Sequence, residues 1–125
     1  MKVGGGKYSA RVFDTGTAEG WKSAVAFNAR PHTPAAPIAG PVRVKLAFVF
    51  KRPKSHFRSN GVELRPEAPA KHTARPDADN LAKAVLDALT QLGGFWKDDS
   101  QVAVLAIYKD YGNQAGAFVE IKEAA

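Results

Sequence analysis

The 125-residue chain contains no cysteine, which excludes disulfides, thiolate zinc sites and cysteine nucleophiles. It also lacks any stretch near the roughly 18 to 20 apolar residues that a membrane span requires. Its first ten residues, MKVGGGKYSA, contain no apolar segment of the kind found in signal peptides. These absences predict a soluble, intracellular protein without a membrane partner. Any bound metal must be held by oxygen or histidine ligands.

Length and composition fit one compact domain over residues 1–125, with 45% hydrophobic residues and a formal net charge of +6. The charge is unevenly distributed. Residues 41–75 carry nine Lys/Arg against two Asp/Glu, whereas residues 76–125 carry four against eight. A basic belt directly before an acidic segment is typical of a protein that binds a polyanion, although solvated lysine faces produce the same composition.

Two segments have helical periodicity. Residues 17–30 place Trp21, Ala24, Val25 and Phe27 at helix-like spacing, with Thr17 as a possible N-cap and a proline as the stop. A second helix is predicted from about Asp79 to Leu92, where apolar residues recur with the spacing of a buried face and two glycines follow.

Three segments predict strands. Residues 42–50 alternate apolar and polar side chains, and residues 102–108 and 116–121 predict two strands joined by a turn as an antiparallel hairpin packed on the helices. Residues 51–76 form a basic, proline-containing loop of a length that is usually functional or partly disordered. The order helix, strand, loop, helix, strand, strand predicts an α+β fold with a mixed β-sheet packed on two helices.

The second helix begins beside two carboxylates, Asp77 and Asp79, and a second acidic pair, Asp98 and Asp99, precedes the next strand. Two carboxylates that converge on one point suit a hard cation, and clustered like charges are normally offset by one. The alternative is an N-cap at Asp79 followed by an ordinary charge ladder along the helix. The basic belt leads directly into Asp77, as expected where a phosphate backbone is drawn to a metal.

Other metal and phosphate motifs fit less well. An EF-hand loop starting at Asp77 needs glycine at Ala82 and glutamate at Ala88, and has neither. The three histidines, His32, His56 and His72, are widely separated in irregular segments. The GGGK at residues 4–7 lacks the rest of a Walker pattern and favours a flexible or DNA-facing turn.

At RPDADNLAKAVLDAL (75–89) and the DDSQV that ends at residue 102, the sequence resembles the RusA family of Holliday junction resolvases. The resemblance implies a homodimeric, Mg²⁺-dependent endonuclease that cuts four-way DNA junctions by paired, symmetric incisions in recombination and repair. It implies no small-molecule cofactor, and a cytoplasmic protein of bacterial or bacteriophage origin.

Residue by residue, the resemblance assigns metal binding to Asp77, Asp79 and Asp99 and a catalytic role to Lys83. The alternative for Lys83 is a salt bridge to Asp79 or Asp87. Supporting roles fall to the other motif residues, which are Asn80, Asp87, Asp98 and Gln101.

DNA contact is assigned as a group to basic residues whose alternative is plain solvent exposure: Lys51, Arg52, Lys54, Arg58, Lys71 and Arg75. Leu86, Phe95 and Trp96 are candidates for a dimer interface, with core packing as the alternative. The N-terminal segment departs from the family pattern, which predicts a first strand that is short or missing.

Two further functions stay open. One is a catalytically silent junction-binding protein, although a pure binder gains nothing from carboxylates that repel phosphate. The other is a small metal-binding or structural domain without a nucleic-acid partner.

Overall fold

The computed structural model describes residues 11–12 and 18–124. Its strands are β1 (Arg11–Val12), β2 (Val42–Lys51), β3 (Val102–Gly112) and β4 (Gly116–Glu123), and its helices are α1 (Ala18–Ala29) and α2 (Ala78–Leu92). The strands form one mixed sheet in the order β1-β4-β2-β3, in which β3 runs parallel to β2, and β4 runs antiparallel to β2 and β1. The predicted α+β class, with two helices and a mixed sheet, is confirmed.

Strand β2 lies between two partner strands and supplies much of the core. Its buried positions alternate with exposed or half-buried ones, and Val42, Val44, Leu46 and Phe48 have no accessible surface. Arg43 and Lys45 lie on the opposite, exposed face of the strand. Each buried aliphatic or aromatic side chain contributes roughly 1.5–3 kcal/mol relative to an exposed one, so the alternation fixes which face of the sheet the helices cover.

Helix α2 packs its apolar stripe against this core and against α1. Leu81, Val85 and Leu89 are fully buried, in agreement with the predicted face. The helix ends at Gly93, whose amide donates to the Leu89 carbonyl oxygen (3.1 Å) and whose φ of 76° suits glycine. No helix in the described ranges is long and apolar enough to cross a membrane.

The predicted antiparallel hairpin of the last two strands is wrong. β3 and β4 lie on either side of β2, and residues 113–115 cross the end of that strand. Apolar alternation identifies a strand and its buried face, but it does not identify which edge of which strand it joins. The predicted element order starts at the first helix and expects a first strand that is short or missing, and the structure has β1 there, which pairs with β4 through Arg11 and Phe118.

Three side-chain predictions also need correction. Phe27, assigned to the apolar face of the first helix, is 77% exposed, whereas Val25 on the same helix is 1% exposed. Phe95 and Trp96, proposed for a dimer interface, are buried in the core, where the indole Nε1 of Trp96 donates to Thr90 Oγ1 (2.8 Å). Thr17 and the GGGK segment lie outside the described residues.

Candidate metal and DNA-binding site

The start of α2 presents two exposed carboxylates. Asp77 is the N-cap residue, with extended backbone angles (φ −71°, ψ 149°), and its carbonyl oxygen accepts the first helical hydrogen bond from Leu81 (3.0 Å). Its carboxylate makes no capping hydrogen bond. Asp79 lies in the first turn, where its Oδ1 accepts from the Asn80 amide (3.0 Å). Both acids therefore point to solvent at the positive end of the helix dipole.

Asp77 also faces a small open cleft of about 250 Å³, which it lines together with Arg75, Pro76 and Asn80. The residues that line the cleft bring a carboxylate, a guanidinium and an amide together within residues 75–80. Such a set offers oxygen ligands to a cation and a positive group to a phosphate.

The second acidic pair is built into a tight turn before β3. Asp98 caps the 3-10 turn Asp99–Gln101, where its Oδ1 accepts from the Ser100 amide (3.1 Å). Gln101 closes the same turn, because its Oε1 accepts from the amides of Lys97 (2.8 Å) and Asp98 (3.2 Å). This capping box holds the two aspartates in a fixed local backbone.

Gln101 also anchors the turn to the rest of the fold. Its Nε2 donates to the carbonyl oxygens of Ile38 (2.8 Å) and Gly40 (2.9 Å), in the segment that leads into β2. Two hydrogen bonds from this side chain thus join the acidic turn to the segment before β2, and its other two lie within the turn. The supporting role predicted for Gln101 would consist in holding this turn in place through these hydrogen bonds.

Negative charge accumulates around Asp99. Its pKa is raised above the ordinary value, first by the side-chain hydrogen bond with Asp98, then by partial desolvation and by the charges of Asp98 and Asp87. Asp87 belongs to α2, so the acidic turn lies beside the helix that carries Asp79. The carboxylates of Asp98 and Asp87 place negative charge beside Asp99, and a divalent cation bound there would relieve the repulsion.

The structure brings Asp99 together with Asp98 and Asp87, whereas Asp77 and Asp79 are not among the groups that act on Asp99. Within the described ranges, no three acidic or histidine side chains converge closely enough to hold a metal ion. Carboxylate oxygens are suitable ligands for a hard cation. That Asp77, Asp79 and Asp99 together bind one stays a prediction.

Lys83 lies one helical turn after Asp79 and one turn before Asp87, on an exposed position of α2. The ion pairs in the described part of the chain join Arg58 to Glu63, Lys71 to Asp110 and Lys122 to Glu120. None involves Lys83, so the alternative of a salt bridge to Asp79 or Asp87 is not realised. The ammonium group is available to an incoming anion.

The segment before Asp77 is tied to β3 rather than loose. The amide of His72 donates to the Lys109 carbonyl oxygen (3.0 Å), and the amide of Tyr111 donates to Ala70 (2.9 Å). Lys71 Nζ pairs with Asp110 Oδ1 (2.6 Å). We call residues 69–74 the strap, because these bonds fasten it along the sheet edge and set the approach to the first acidic pair.

The six basic residues assigned to DNA have three different surroundings. Four of them, Lys51, Arg52, Lys54 and Arg58, line an open cleft of about 550 Å³. Lys71 is paired with Asp110, and Arg75 lines the Asp77 cleft. The group therefore divides into a basic cleft, a structural ion pair and a residue beside the candidate metal ligands.

The chain matches the family model of endodeoxyribonuclease RusA over residues 2–122. It belongs to the RusA family. It is 36% identical over 106 residues to the uncharacterized protein YqaN of Bacillus subtilis (strain 168), a match that covers 84% of this chain and 73% of the relative. It is 46% identical over 48 residues to the crossover junction endodeoxyribonuclease RusA of Escherichia coli (strain K12), with 38% of this chain and 39% of the relative covered.

Two residues near the candidate site of this RusA-family chain were not predicted from the sequence. Arg65 lines the basic cleft, and Lys109 Nζ donates to the Ala74 carbonyl oxygen (2.8 Å). Arg65 lies within the basic belt, so its charge was visible. Lys109 interrupts the inward-facing positions of β3 between Ile107 and Tyr111, and a lysine at such a position signals a specific partner.

Proposed function

We propose that this RusA-family chain is a Mg²⁺-dependent endodeoxyribonuclease that resolves four-way DNA junctions in recombination and repair. It acts as a homodimer and hydrolyses two phosphodiester bonds symmetrically. The observation that carries the proposal is the approach of the acidic turn at Asp98 and Asp99 to Asp87 of α2. The same helix has Asp77 as its N-cap, Asp79 in its first turn and Lys83 at an exposed position. Family membership supplies the reaction class.

Asp77, Asp79 and Asp99 are the proposed metal ligands. Their carboxylate oxygens match the preference of Mg²⁺, and the charge gathered around Asp99 supports a cation there. A bound Mg²⁺ supplies an activated water and stabilises negative charge on the reacting phosphate. Asp98 and Gln101 position Asp99 through the capping box.

Lys83 is the proposed charge-neutralising residue. Its ammonium lies on the helix stripe between Asp79 and Asp87 without an ion-pair partner among the described residues. A preorganised cation near the scissile phosphate stabilises the charge that develops in the transition state. Arg75 lines the same cleft as Asp77 and is the proposed contact for a neighbouring phosphate.

The homodimer follows from the substrate. A four-way junction has approximate two-fold symmetry, and a two-fold dimer presents two equivalent sites to it. Paired incisions then require one site from each protomer.

The test is cleavage of a synthetic four-way junction and a matched linear duplex, with Mg²⁺ and with EDTA, by wild type, Asp79→Asn and Glu123→Gln. Glu123 is an exposed acid at the end of β4 and serves as the charge-matched control. We expect paired nicks in the junction only with Mg²⁺, lost in Asp79→Asn and kept in Glu123→Gln. Junction binding should persist in both variants.

A catalytically silent junction-binding protein is the second candidate. The basic cleft favours it, because the cleft is lined by residues separate from the carboxylates. Tight junction binding without cleavage by the wild type in Mg²⁺ would support this function and overturn the nuclease proposal.

A further inference from the structure

We infer that the basic cleft is a subsite for one unpaired DNA strand, whose phosphates are bound by the cationic side chains while a base stacks on Phe57. This inference rests on the proposed action on DNA, and it adds a ligand and a geometry to it. The residues that carry the argument are Lys51, Arg52, Lys54, Phe57, Arg58 and Arg65, all of which line the cleft.

One wall of the cleft is a tight, hydrogen-bonded loop formed by residues 56–65. Backbone hydrogen bonds cross it from Arg58 to Glu63 (2.7 Å) and from Arg65 to His56 (2.9 Å). At its tip, Asn60 Oδ1 accepts from the amides of Val62 (2.9 Å) and Glu63 (3.1 Å). The cationic side chains therefore project from a preorganised backbone, which lowers the conformational cost of binding a ligand.

The positive charge in the cleft is poorly compensated. Of its five cationic residues, Arg52 donates to the Pro69 carbonyl oxygen (2.7 Å) and Arg58 contacts Glu63 at 3.9 Å. Lys51, Lys54 and Arg65 make no ion pair with any described residue. Concentrated like charges repel each other, and a phosphate backbone relieves that repulsion while releasing its counterions.

The cleft also has an aromatic wall. Phe57 is half-buried and faces the same cleft as the cations. A basic groove with an aromatic stacking surface is the combination that proteins use for single strands, because stacking requires an unpaired base. The volume of about 550 Å³ lies within the usual range for ligand sites. A four-way junction offers such a strand where base pairs at its centre open.

The cleft is connected to the candidate metal site by a short covalent and hydrogen-bonded path. Arg52 lines the cleft and donates to Pro69, the first residue of the strap. The strap is fastened to β3 and continues into Arg75 and Asp77. A DNA strand bound in the cleft thus contacts Arg52, which is hydrogen-bonded to the strap, and the strap leads directly to Asp77 at the start of α2.

The experiment measures binding of a short fluorescent single-stranded oligonucleotide by the full chain, in EDTA and over a range of salt concentrations. A matched duplex is measured in parallel. The variants are Lys54→Gln/Arg65→Gln, which removes two unpaired cleft cations, and Phe57→Leu, which removes the ring. The charge-matched control is Arg43→Gln/Lys45→Gln, on the exposed sheet face. Thermal unfolding checks that each variant is folded.

We expect Lys54→Gln/Arg65→Gln to bind the single strand roughly tenfold more weakly and to lower the salt slope by about 1.4, since each phosphate contact contributes about 0.7. Phe57→Leu should weaken single-strand binding with an unchanged slope and leave duplex binding nearly unchanged. The control should stay within about twofold of wild type, because it removes charge only outside the cleft.

Equal losses in the cleft and control variants would overturn the subsite, as would equal effects of Phe57→Leu on single strand and duplex. Competition by inorganic phosphate as effective as that by the oligonucleotide would show an anion site without strand recognition. Junction cleavage separates the two proposals. If the wild type cleaves junctions but single-strand binding does not depend on the cleft residues, only the subsite proposal is overturned. If binding depends on the cleft residues but no cleavage occurs, only the nuclease proposal is overturned.

Discussion

Lys109 Nζ donates a hydrogen bond to the carbonyl oxygen of Ala74 at 2.8 Å, so a side chain of β3 holds the backbone three residues before Asp77. The same strand bonds to the strap through the carbonyl oxygen of Lys109 and the amide of Tyr111. The approach to the first carboxylate pair is therefore fixed by the sheet, not by α2 alone.

Lys109→Met should loosen the strap. Losing one charged hydrogen bond costs about 1 kcal/mol locally, which corresponds to about fivefold faster amide exchange in residues 69–77. Hydrogen–deuterium exchange of that peptide measures the change. Lys122→Met is the control, because the Lys122 side chain forms its ion pair within β4, with Glu120 at 4.0 Å. Unchanged exchange in Lys109→Met would show that the backbone bonds suffice.

Gln101→Ala should destabilise the fold by about 2 kcal/mol, since it leaves two carbonyl oxygens and two amides without their partner. Urea unfolding measures the loss. Gln91→Ala, at an exposed position of α2, should change stability by less than about 0.5 kcal/mol. Similar values for both variants would contradict the anchoring role of Gln101.

Asp98→Asn should lower the pKa of Asp99, because the hydrogen bond with Asp98 is the largest cause of its upward shift. An acid whose pKa is raised on folding binds its proton more tightly in the native state. Its contribution to stability is therefore present at low pH and lost as pH rises through the native pKa. In metal-free buffer, Asp98→Asn should therefore lose less stability than wild type as the pH rises through the native pKa of Asp99.

Carboxyl NMR of Asp99 measures this shift directly. Asp79→Asn is the control, because Asp79 is not among the groups that act on Asp99. A comparable decrease in both variants would mean that the two acidic pairs lie closer together in solution than in this structure.

Val25→Ala and Phe27→Ser test the corrected face of α1. Val25 is 1% exposed, so removing two methyl groups should cost about 1–2 kcal/mol. Phe27 is 77% exposed, and Phe27→Ser should stay within about 0.5 kcal/mol. Thermal or urea unfolding distinguishes the two, and a larger loss for Phe27→Ser would reveal a contact outside the described residues.

The sequence predicted elements well where one face is strongly apolar. α2 was predicted from Asp79 to Leu92 and observed from Ala78 to Leu92, and the alternation of 42–50 appears intact in β2. Both patterns are local consequences of burial at the helix or strand period. α1 was harder, because its apolar residues do not follow one clean stripe and Phe27 falls outside the core.

Partnerships between elements were not predictable in this way. The placement of β2 between β3 and β4 depends on long-range pairing, which leaves no mark on the spacing of residues in either strand. The burial of Phe95 and Trp96 likewise depends on where the turn after α2 packs. The identity of the acidic residues was visible in the motif, whereas the proximity of Asp87 to Asp99 required the fold.

The central position of β2 also bears on how the chain folds. Val42 pairs with Val102 on one edge of β2 and with Glu123 on the other. The backbone hydrogen-bonding groups on both edges therefore have no strand partner until the C-terminal segment is present. Contacts this distant in sequence slow folding, because a long loop must close before any pairing is rewarded. During synthesis, β2 emerges before both of its partner strands, β3 and β4, and stays unpaired until they follow. The charged side chains of β2, such as Arg43 and Lys45, would then help to keep the unpaired strand from aggregating.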